Sequence, residues 1–198
     1  AWRLCRRGCR LIAVRPHAFA AACLLALAGT AETATADPWA APGDARLRHD
    51  LQLLSDSGLI RAPLSAWPVA WGEVARDLAA LDHAATRPAH LVAALGRVTK
   101  AALAATEVGA WRAEGRVAAS GEPMTLRRFA DVPREEGELA GSMQYTGEIL
   151  AARLQATVVA DADDDKTVRP DGSYVGAVLG NWMITAGWID RWWGPGWE

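Results

Sequence analysis

The stretch that decides the fold is Ile149-Leu-Ala-Ala-Arg-Leu-Gln-Ala-Thr-Val-Val-Ala160, in which apolar and polar side chains alternate. Successive side chains of a strand point to opposite faces. One face would therefore carry Arg153, Gln155 and Thr157, and the other is apolar: Leu150, Ala152, Leu154, Ala156, Val158 and Ala160. A long strand of this kind is typical of a transmembrane β-barrel, although soluble sandwiches show the same alternation in shorter strands.

Two further stretches alternate in the same way, Trp111–Ser120 and Glu138–Gly147. Segments near 124–131 and 173–180 alternate poorly, and we predict them as strands from their place in the series. In a barrel, five polar residues are expected to face a wet lumen while the apolar positions face lipid, where unpaired charge is not tolerated. These lumen residues are Arg112, Glu114, Arg116, Arg153 and Gln155.

With one more strand after the turn at Gly180-Asn181, there are six candidate strands, which are too few for a bacterial barrel of at least about eight. An open sheet edge in lipid would leave backbone groups without hydrogen bonds. The chain also begins with Ala1 rather than Met. We therefore expect it to be a piece of a longer protein that continues beyond Glu198.

Residues 44–106 have helical rather than strand periodicity. Asp44 is suited to cap a helix N-terminus, Gly58 to end that helix, and Pro88 to start a later one. Three apolar stripes follow these signals: Leu47, Leu51 and Leu54; Trp71, Val74, Leu78 and Leu81; Leu91, Leu95, Val98 and Ala102. The region predicts three short amphipathic helices, none apolar enough all round to span a membrane.

Residues 1–36 have the three parts of a secretory signal peptide. A basic segment runs to Arg15, an apolar stretch follows over Ala18–Ala28, and Ala34-Thr35-Ala36 precedes Asp37. We predict cleavage between Ala36 and Asp37, in preference to a buried helix or a lipoprotein anchor at Cys23. All three cysteines lie in this leader, so the exported part would fold without disulfides.

Composition excludes several classes of function. A net charge of −2 argues against nucleic-acid binding, and the sequence has no phosphate loop and no Cys/His metal spacing. The mature histidines all precede the strands, at His49, His83 and His90, so a His-based acyl-transfer site is not predicted. The acidic run from Asp161 to Asp165 lacks the Gly and Glu of a calcium loop and is read as a solvated connection. No catalytic residue, metal or other cofactor is predicted.

Five of the ten tryptophans fall in the last 17 residues. Aromatic faces suit sugar C–H groups, and charged side chains can hydrogen-bond hydroxyls. The candidate carbohydrate-binding residues are Asp190, Arg191, Trp192, Trp193 and Trp197. The alternative is structural and is favoured by the residues alone: Trp182 and Trp188 would join interfacial aromatic girdles, and Gly194-Pro195-Gly196 would set a turn that packs the indoles.

The same region resembles a known family. Gly180-Asn-Trp182 and Asp190-Arg-Trp-Trp-Gly-Pro-Gly-Trp197 are similar to the capsule assembly Wzi family. Upstream, Leu47-Arg-His-Asp-Leu51, Gly58-Leu-Ile60 and Trp67-Pro-Val-Ala-Trp71 resemble its N-terminal helical part. The resemblance covers nearly all of residues 37–198.

The resemblance implies an outer-membrane barrel of about 18 strands, with a helical bundle at its periplasmic end, which holds capsular polysaccharide at the cell surface as a lectin rather than as an enzyme. Residues 1–36 would be the signal peptide, 37–109 a periplasmic helical region and 110–198 the first barrel strands. The expected partners are capsular or other surface polysaccharide, outer-membrane lipid and the barrel-insertion machinery.

Two other functions stay open. Arg112, Arg116 and Arg153 could line a channel for small anionic solutes, and an outer-membrane enzyme would need a nucleophile–base pair from elsewhere.

Long barrel loops usually face outwards. Nevertheless, the resemblance leads us to expect the long connections to lie at the periplasmic end with the helices. These connections are Asp131–Gly137, Asp161–Gly172 and Asp190–Trp197.

Overall fold

The computed structural model of the chain describes residues 38–121, 123, 128–130, 132–133, 135–160, 166–179 and 182–194. The predicted signal peptide lies outside the described residues, together with its cleavage site at Ala36 and Asp37. So do the acidic run at 161–165 and Trp197.

The predicted helical region contains three helices: α1 (Ala45–Asp56), α2 (Trp71–Ala79) and α3 (Ala89–Ala105). Asp44 caps α1, because its carboxylate oxygen accepts the backbone N–H of Leu47 at 2.9 Å. Gly58 follows the end of α1 with a φ of 70°, a backbone conformation that favours glycine. Pro88 directly precedes α3. Among the described residues, no helix is long and apolar enough to cross a membrane.

The helices share a core around Leu51, Leu54, Val74 and Val98, all of which are buried. Two short strands, β1 (Trp39–Ala40) and β3 (Val69–Ala70), pair beside this core, and β2 (Ala66–Trp67) lies between them in sequence. The apolar stripes predicted from the sequence therefore provide the helix contacts.

An ion pair crosses from α1 to α3 within the helical region. Arg97 donates two hydrogen bonds to the buried carboxylate of Asp50, at 2.6 Å from Nε and 2.8 Å from Nη2. The hydrogen bond to Asp50 raises the pKa of the Arg97 guanidinium above its ordinary value. Because a buried carboxylate is costly without a partner, Arg97 is needed where Asp50 enters the core.

The strands between Gly109 and Trp188 form one antiparallel sheet. It contains β4 (Ala110–Ala119), β5 (Gly137–Thr146), β6 (Leu150–Ala160), β7 (Val168–Arg169), β8 (Tyr174–Leu179) and β9 (Trp182–Gly187). The order is β4-β5-β6-β8-β9, and β7 also pairs with β6. The three long strands have 10 or 11 residues. As described, the sheet is open, with β4 and β9 at its edges.

The predicted strand near 124–131 is wrong for its described part. β4 pairs directly with β5 over ten residue pairs, from Ala110 opposite Thr146 to Ala119 opposite Gly137. No strand therefore lies between them in the sheet, and the described residues 128–130 are not part of a strand. Phe129 in this connection is 2% exposed and lies in the core of the helices. The segment alternates poorly because its aromatic residue packs away from the sheet.

This missing strand reverses the expected placement of the long connections. β4, β6 and β9 all run in the same direction, so the connections that follow these three strands leave from the same end of the sheet. The short connections after β5 and β8 lie at the opposite end of the sheet, where β4 begins after α3. The long connections therefore do not share an end with the start of β4, although two of them contact the helices as expected, through Phe129 and Trp192. Counting one strand too many had inverted every later strand.

The two faces of the sheet differ in chemistry. One, which we call the apolar face, exposes large hydrophobic side chains on every long strand: Trp111, Val117, Leu139, Met143, Leu154, Val158, Val175, Leu179, Trp182 and Ile184. Soluble monomers rarely expose a continuous apolar patch larger than a few hundred Å². This face is therefore suited to a hydrocarbon environment.

Candidate functional site

The opposite surface of the sheet, which we call the polar face, carries all five residues predicted to face a lumen. Backbone register aligns them in rows across β4, β5 and β6. The rows are Arg112–Gln144–Arg153, Glu114–Ser142–Gln155 and Arg116–Ala140–Thr157. The structure thus brings together side chains that are up to 43 positions apart in the sequence, from Arg112 to Gln155.

Contacts between rows hold these side chains in place. Arg153 donates from Nη2 to a carboxylate oxygen of Glu114 at 3.5 Å. The backbone N–H of Gln155 donates to the Ser173 hydroxyl at 2.9 Å, and that hydroxyl donates to the Gln155 carbonyl at 3.0 Å. A second ion pair joins Arg169 to the buried carboxylate of Glu135 at 2.7 Å. The polar face is therefore an ordered network rather than a row of independent charges.

Arg112 has a separate role on this face. It pairs with Glu107 and donates to the backbone carbonyl of Ala104 at 3.2 Å. Arg112 therefore links the end of α3 to the start of β4. It does not line the cleft formed by the other predicted residues.

A cleft of about 220 Å³ opens on the polar face. Sheet residues form one side. The connections after β4 and β9 form the other, together with Pro42, Gly43 and Asp171. We call it the polar cleft. Its charged lining comprises Glu114, Glu138, Asp171 and Asp190, with Arg116, Arg128, Arg153, Arg169 and Arg191. Since hydroxyl groups both donate and accept hydrogen bonds, a wall of mixed guanidinium and carboxylate groups suits a polyhydroxylated ligand.

The segment Trp188–Gly194, which we call the post-β9 segment, reaches this cleft. Asp190, Arg191 and Trp192 line it. Trp193 does not line the cleft and is 76% exposed, and Trp197 lies outside the described residues. The structure therefore brings three of the five candidate carbohydrate-binding residues to the predicted lumen residues.

The same segment also has a structural role. β10 (Trp192–Trp193) pairs with β2, placing Trp192 opposite Trp67 and Trp193 opposite Ala66. The N–H of Gly194 donates to the carbonyl of Ser65 at 2.9 Å, and Gly194 has a φ of 109°. The tryptophan run thus connects the sheet to the helical region, which the sequence did not reveal.

An aromatic cluster, made of Trp67, Phe129 and Trp192, adjoins the cleft, which Phe129 and Trp192 also line. Phe129 makes edge contacts with Trp67 at 4.9 Å and with Trp192 at 6.0 Å between ring centroids. The guanidinium carbon of Arg48 lies 4.2 Å from the centroid of the Phe129 ring. Burial lowers the pKa of Arg48 from its ordinary value, and the residue is 5% exposed. Sequence reasoning missed both Arg48 and Phe129.

Other aromatic side chains lie on the apolar face, near the edge where β4 begins. Trp111 packs against Tyr145, with 5.0 Å between ring centroids, and Trp182 is exposed at the start of β9. These rings lie near the ends of β4, β5 and β9. Trp188 is also exposed.

The described residues offer little for metal or histidine chemistry. Within them, no group of three His, Cys, Asp or Glu side chains could hold a metal ion. His49, His83 and His90 are exposed on the helical region.

Comparisons with known proteins identify the relatives of this chain. The family model of the capsule assembly protein Wzi matches residues 109–198, the part that contains the sheet. A 55.8 kDa protein in the cps region of Klebsiella pneumoniae is 28% identical over 160 residues, which are 78% of this chain and 30% of that protein. The resemblance inferred from the sequence is confirmed.

One solved structure is similar over most of the chain. It is Wzi, an outer-membrane protein involved in group 1 capsule assembly in Escherichia coli and a carbohydrate-binding β-barrel. The TM-score is 0.63 at 25% identity, and the match covers 80% of this chain and 35% of that one. The chain therefore spans about a third of the length of the relatives it matches.

Proposed function

We propose that the protein is an outer-membrane β-barrel that binds capsular or another surface polysaccharide, since the family model of the capsule assembly protein Wzi matches residues 109–198. It helps to attach or assemble that polysaccharide at the cell surface. The observation that carries the proposal is the two-faced sheet, with a continuous apolar face and a polar face that contains the polar cleft.

The dimensions of the strands support membrane insertion. Ten residues at about 3.3 Å each, tilted by about 40°, reach about 25 Å along the membrane normal. That is about the height of the apolar band of an outer-membrane barrel. Lipid would cover the apolar face, and insertion would need the barrel-insertion machinery.

The domain limits follow from the same proposal. Residues 1–36 act as a cleaved signal peptide, 37–109 form the periplasmic helical region and 110–198 supply the first strands. The rest of a barrel of about 18 strands would come from sequence corresponding to the remainder of the relatives, of which this chain spans about a third.

Orientation follows from the direction of β4. If β4 begins at the periplasmic end, the connections after β4, β6 and β9 are extracellular. The helical region then reaches both ends of the sheet, because Arg112 links the end of α3 to the start of β4 while Phe129 and Trp192 pack on the helical core. Short turns then face the periplasm and long loops face outwards, as is usual in such barrels. The polar cleft would lie towards the extracellular end, where surface polysaccharide is found.

The polar cleft is the proposed saccharide site. Arg153, Gln155 and Arg191 supply hydrogen-bond donors, Asp190 supplies acceptors, and Trp192 supplies an aromatic surface for sugar C–H groups. Trp193 and Trp197 remain candidates for contacts outside this cleft.

Replacing Arg191 by alanine should weaken polysaccharide binding by about 10- to 100-fold, since one hydrogen bond to a charged group contributes about 1.5–3 kcal/mol. Arg191 is exposed, so folding should be unaffected. The measurement is the affinity of the purified full-length protein for capsular polysaccharide of the source strain. Arg76→Ala, at another exposed arginine on α2, is the matched control. Equal affinities for the two variants would exclude Arg191 from the site.

The proposed function itself is tested by binding of the wild-type protein and by capsule retention after gene deletion. No binding to any capsule of the source strain, with unaltered retention, would remove it. Conductance in planar bilayers separates the channel alternative, because a barrel closed by its helical region should conduct little. Turnover of a lipid or glycan would instead indicate an enzyme.

A further inference from the structure

Three parts of the chain that are distant in sequence meet at Arg48. Its guanidinium lies over the Phe129 ring at 4.2 Å, and its Nη2 donates to the carbonyl of Gly194 at 3.5 Å. Arg48 belongs to α1, Phe129 to the connection between β4 and β5, and Gly194 to the post-β9 segment. One side chain of the helical region thus contacts both connections that wall the polar cleft.

Arg48 reaches these groups from behind the cleft. Phe129 and Trp192 line the polar cleft, whereas Arg48 does not. The face of Phe129 is turned to the guanidinium, and the ring makes edge contacts with Trp192 at 6.0 Å. A shift of Arg48 would therefore be passed through Phe129 and Gly194 to the segment that carries Asp190 and Arg191.

Burial of a guanidinium is costly unless its partners compensate. The planar guanidinium can stack on an aromatic ring while its edge donates hydrogen bonds. A lysine offers a compact charge without this fork. Arginine can therefore stack on Phe129 and donate to the Gly194 carbonyl at the same time.

The backbone pairing described between the post-β9 segment and the helical region is short, and Trp192 packs beside it on the helical core. β10 and β2 form only two residue pairs, and Gly194 adds one hydrogen bond to Ser65. A short pairing of this kind opens easily unless packing supports it. Arg48 and Phe129 lie where this support is needed.

We propose that Arg48 is a positioning residue for the saccharide site, which holds Phe129 and the backbone at Gly194 so that Asp190, Arg191 and Trp192 close the polar cleft. The proposal rests on the proposed function. It couples ligand binding to docking of the helical region, and such coupling is reciprocal. A saccharide that engages the post-β9 segment should therefore stabilise the pairing of β10 with β2.

The test compares full-length Arg48→Met, Arg48→Lys and Arg46→Met proteins. Arg46 lies on the exposed side of α1 and is the matched control. Arg48→Met should bind capsular polysaccharide about 10-fold more weakly, because the segment that carries Asp190 and Arg191 is no longer held in place and the two sites are coupled. Arg48→Lys should recover part of the affinity because it restores the charge over the ring. Heat-modifiable migration in gels should show that all three barrels are folded.

Hydrogen exchange distinguishes positioning from a purely structural role. In the wild-type protein, polysaccharide should slow exchange of the Ala66–Trp67 amides, and this response should be lost in Arg48→Met. The inference would be overturned if Arg48→Met bound the polysaccharide as tightly as the wild type does. It would also be overturned if the polysaccharide left hydrogen exchange at β2 unchanged in the wild type. Neither result would overturn the proposed function. A wild-type protein that binds no capsular polysaccharide would overturn the proposed function and this inference together.

Discussion

Replacing Met143 by arginine is expected to destabilise the full-length protein in lipid by about 2–4 kcal/mol, the cost of an arginine on the lipid face near the bilayer midplane. Met143 lies inside β5 on the apolar face and is 54% exposed. Its neighbours in the cross-strand row are Ala113 and Leu154, which offer no partner for a charge. The free energy of unfolding can be measured by urea titration in lipid vesicles.

The adjacent residue provides a matched control. Ser142 points to the polar face and lies opposite Glu114 in the register. Ser142→Arg introduces the same charge into the same strand beside a carboxylate, so its cost should be small. If the two variants lose equal stability, the assignment of the two faces is wrong.

Replacing Phe129 by alanine is expected to lower the free energy of unfolding by about 3–5 kcal/mol, as is usual when a buried aromatic side chain is removed. Phe129 is fully buried between Trp67, Trp192 and the Arg48 guanidinium. Its loss would leave a cavity and also expose the guanidinium to an empty space. Denaturant unfolding followed by tryptophan fluorescence would report the change, because two neighbouring rings are indoles.

Two further variants serve as references for this change in the free energy of unfolding. Phe129→Leu keeps most of the volume and should cost less than Phe129→Ala. Val132→Ala removes methyl groups from a half-buried position of the same connection and should cost least. Equal losses for Phe129→Ala and Val132→Ala would show that the connection does not anchor the helical region.

Local signals were sufficient for the regular elements. The α1 cap at Asp44 and its stop at Gly58 follow from short-range hydrogen bonding and backbone preference. The alternation in β4, β5 and β6 follows from one face being apolar and the other polar, and it fixes which residues share a face. For this reason the five predicted lumen residues lie together on the polar face.

The contacts between segments that are distant in the chain could not be predicted from the sequence. The strand predicted near 124–131 rested on its place in a series rather than on alternation, and its single aromatic residue packs on the helices instead. That one error inverted the placement of the later connections. The two-residue pairing of β10 with β2 carries no periodic signal. Hence neither the walls of the polar cleft nor the position of Arg48 could be derived.

The tryptophan run illustrates how a binding and a structural interpretation can both apply. Trp192 packs in the aromatic cluster and also lines the polar cleft. Its neighbours Asp190 and Arg191 reach the cleft because β10 is held against β2. The rigidity of this segment is therefore part of the geometry of the proposed site.

A single-cysteine scan along β6 tests most directly whether the sheet separates lipid from water. The three cysteines of the chain lie in residues 1–36, which the predicted cleavage removes. In lipid vesicles, an environment-sensitive probe at residues 152, 154, 156 and 158 should be quenched by a lipid-bound quencher. A probe at residues 153, 155 and 157 should instead react to an aqueous quencher. Uniform access from water at all seven positions would contradict the account.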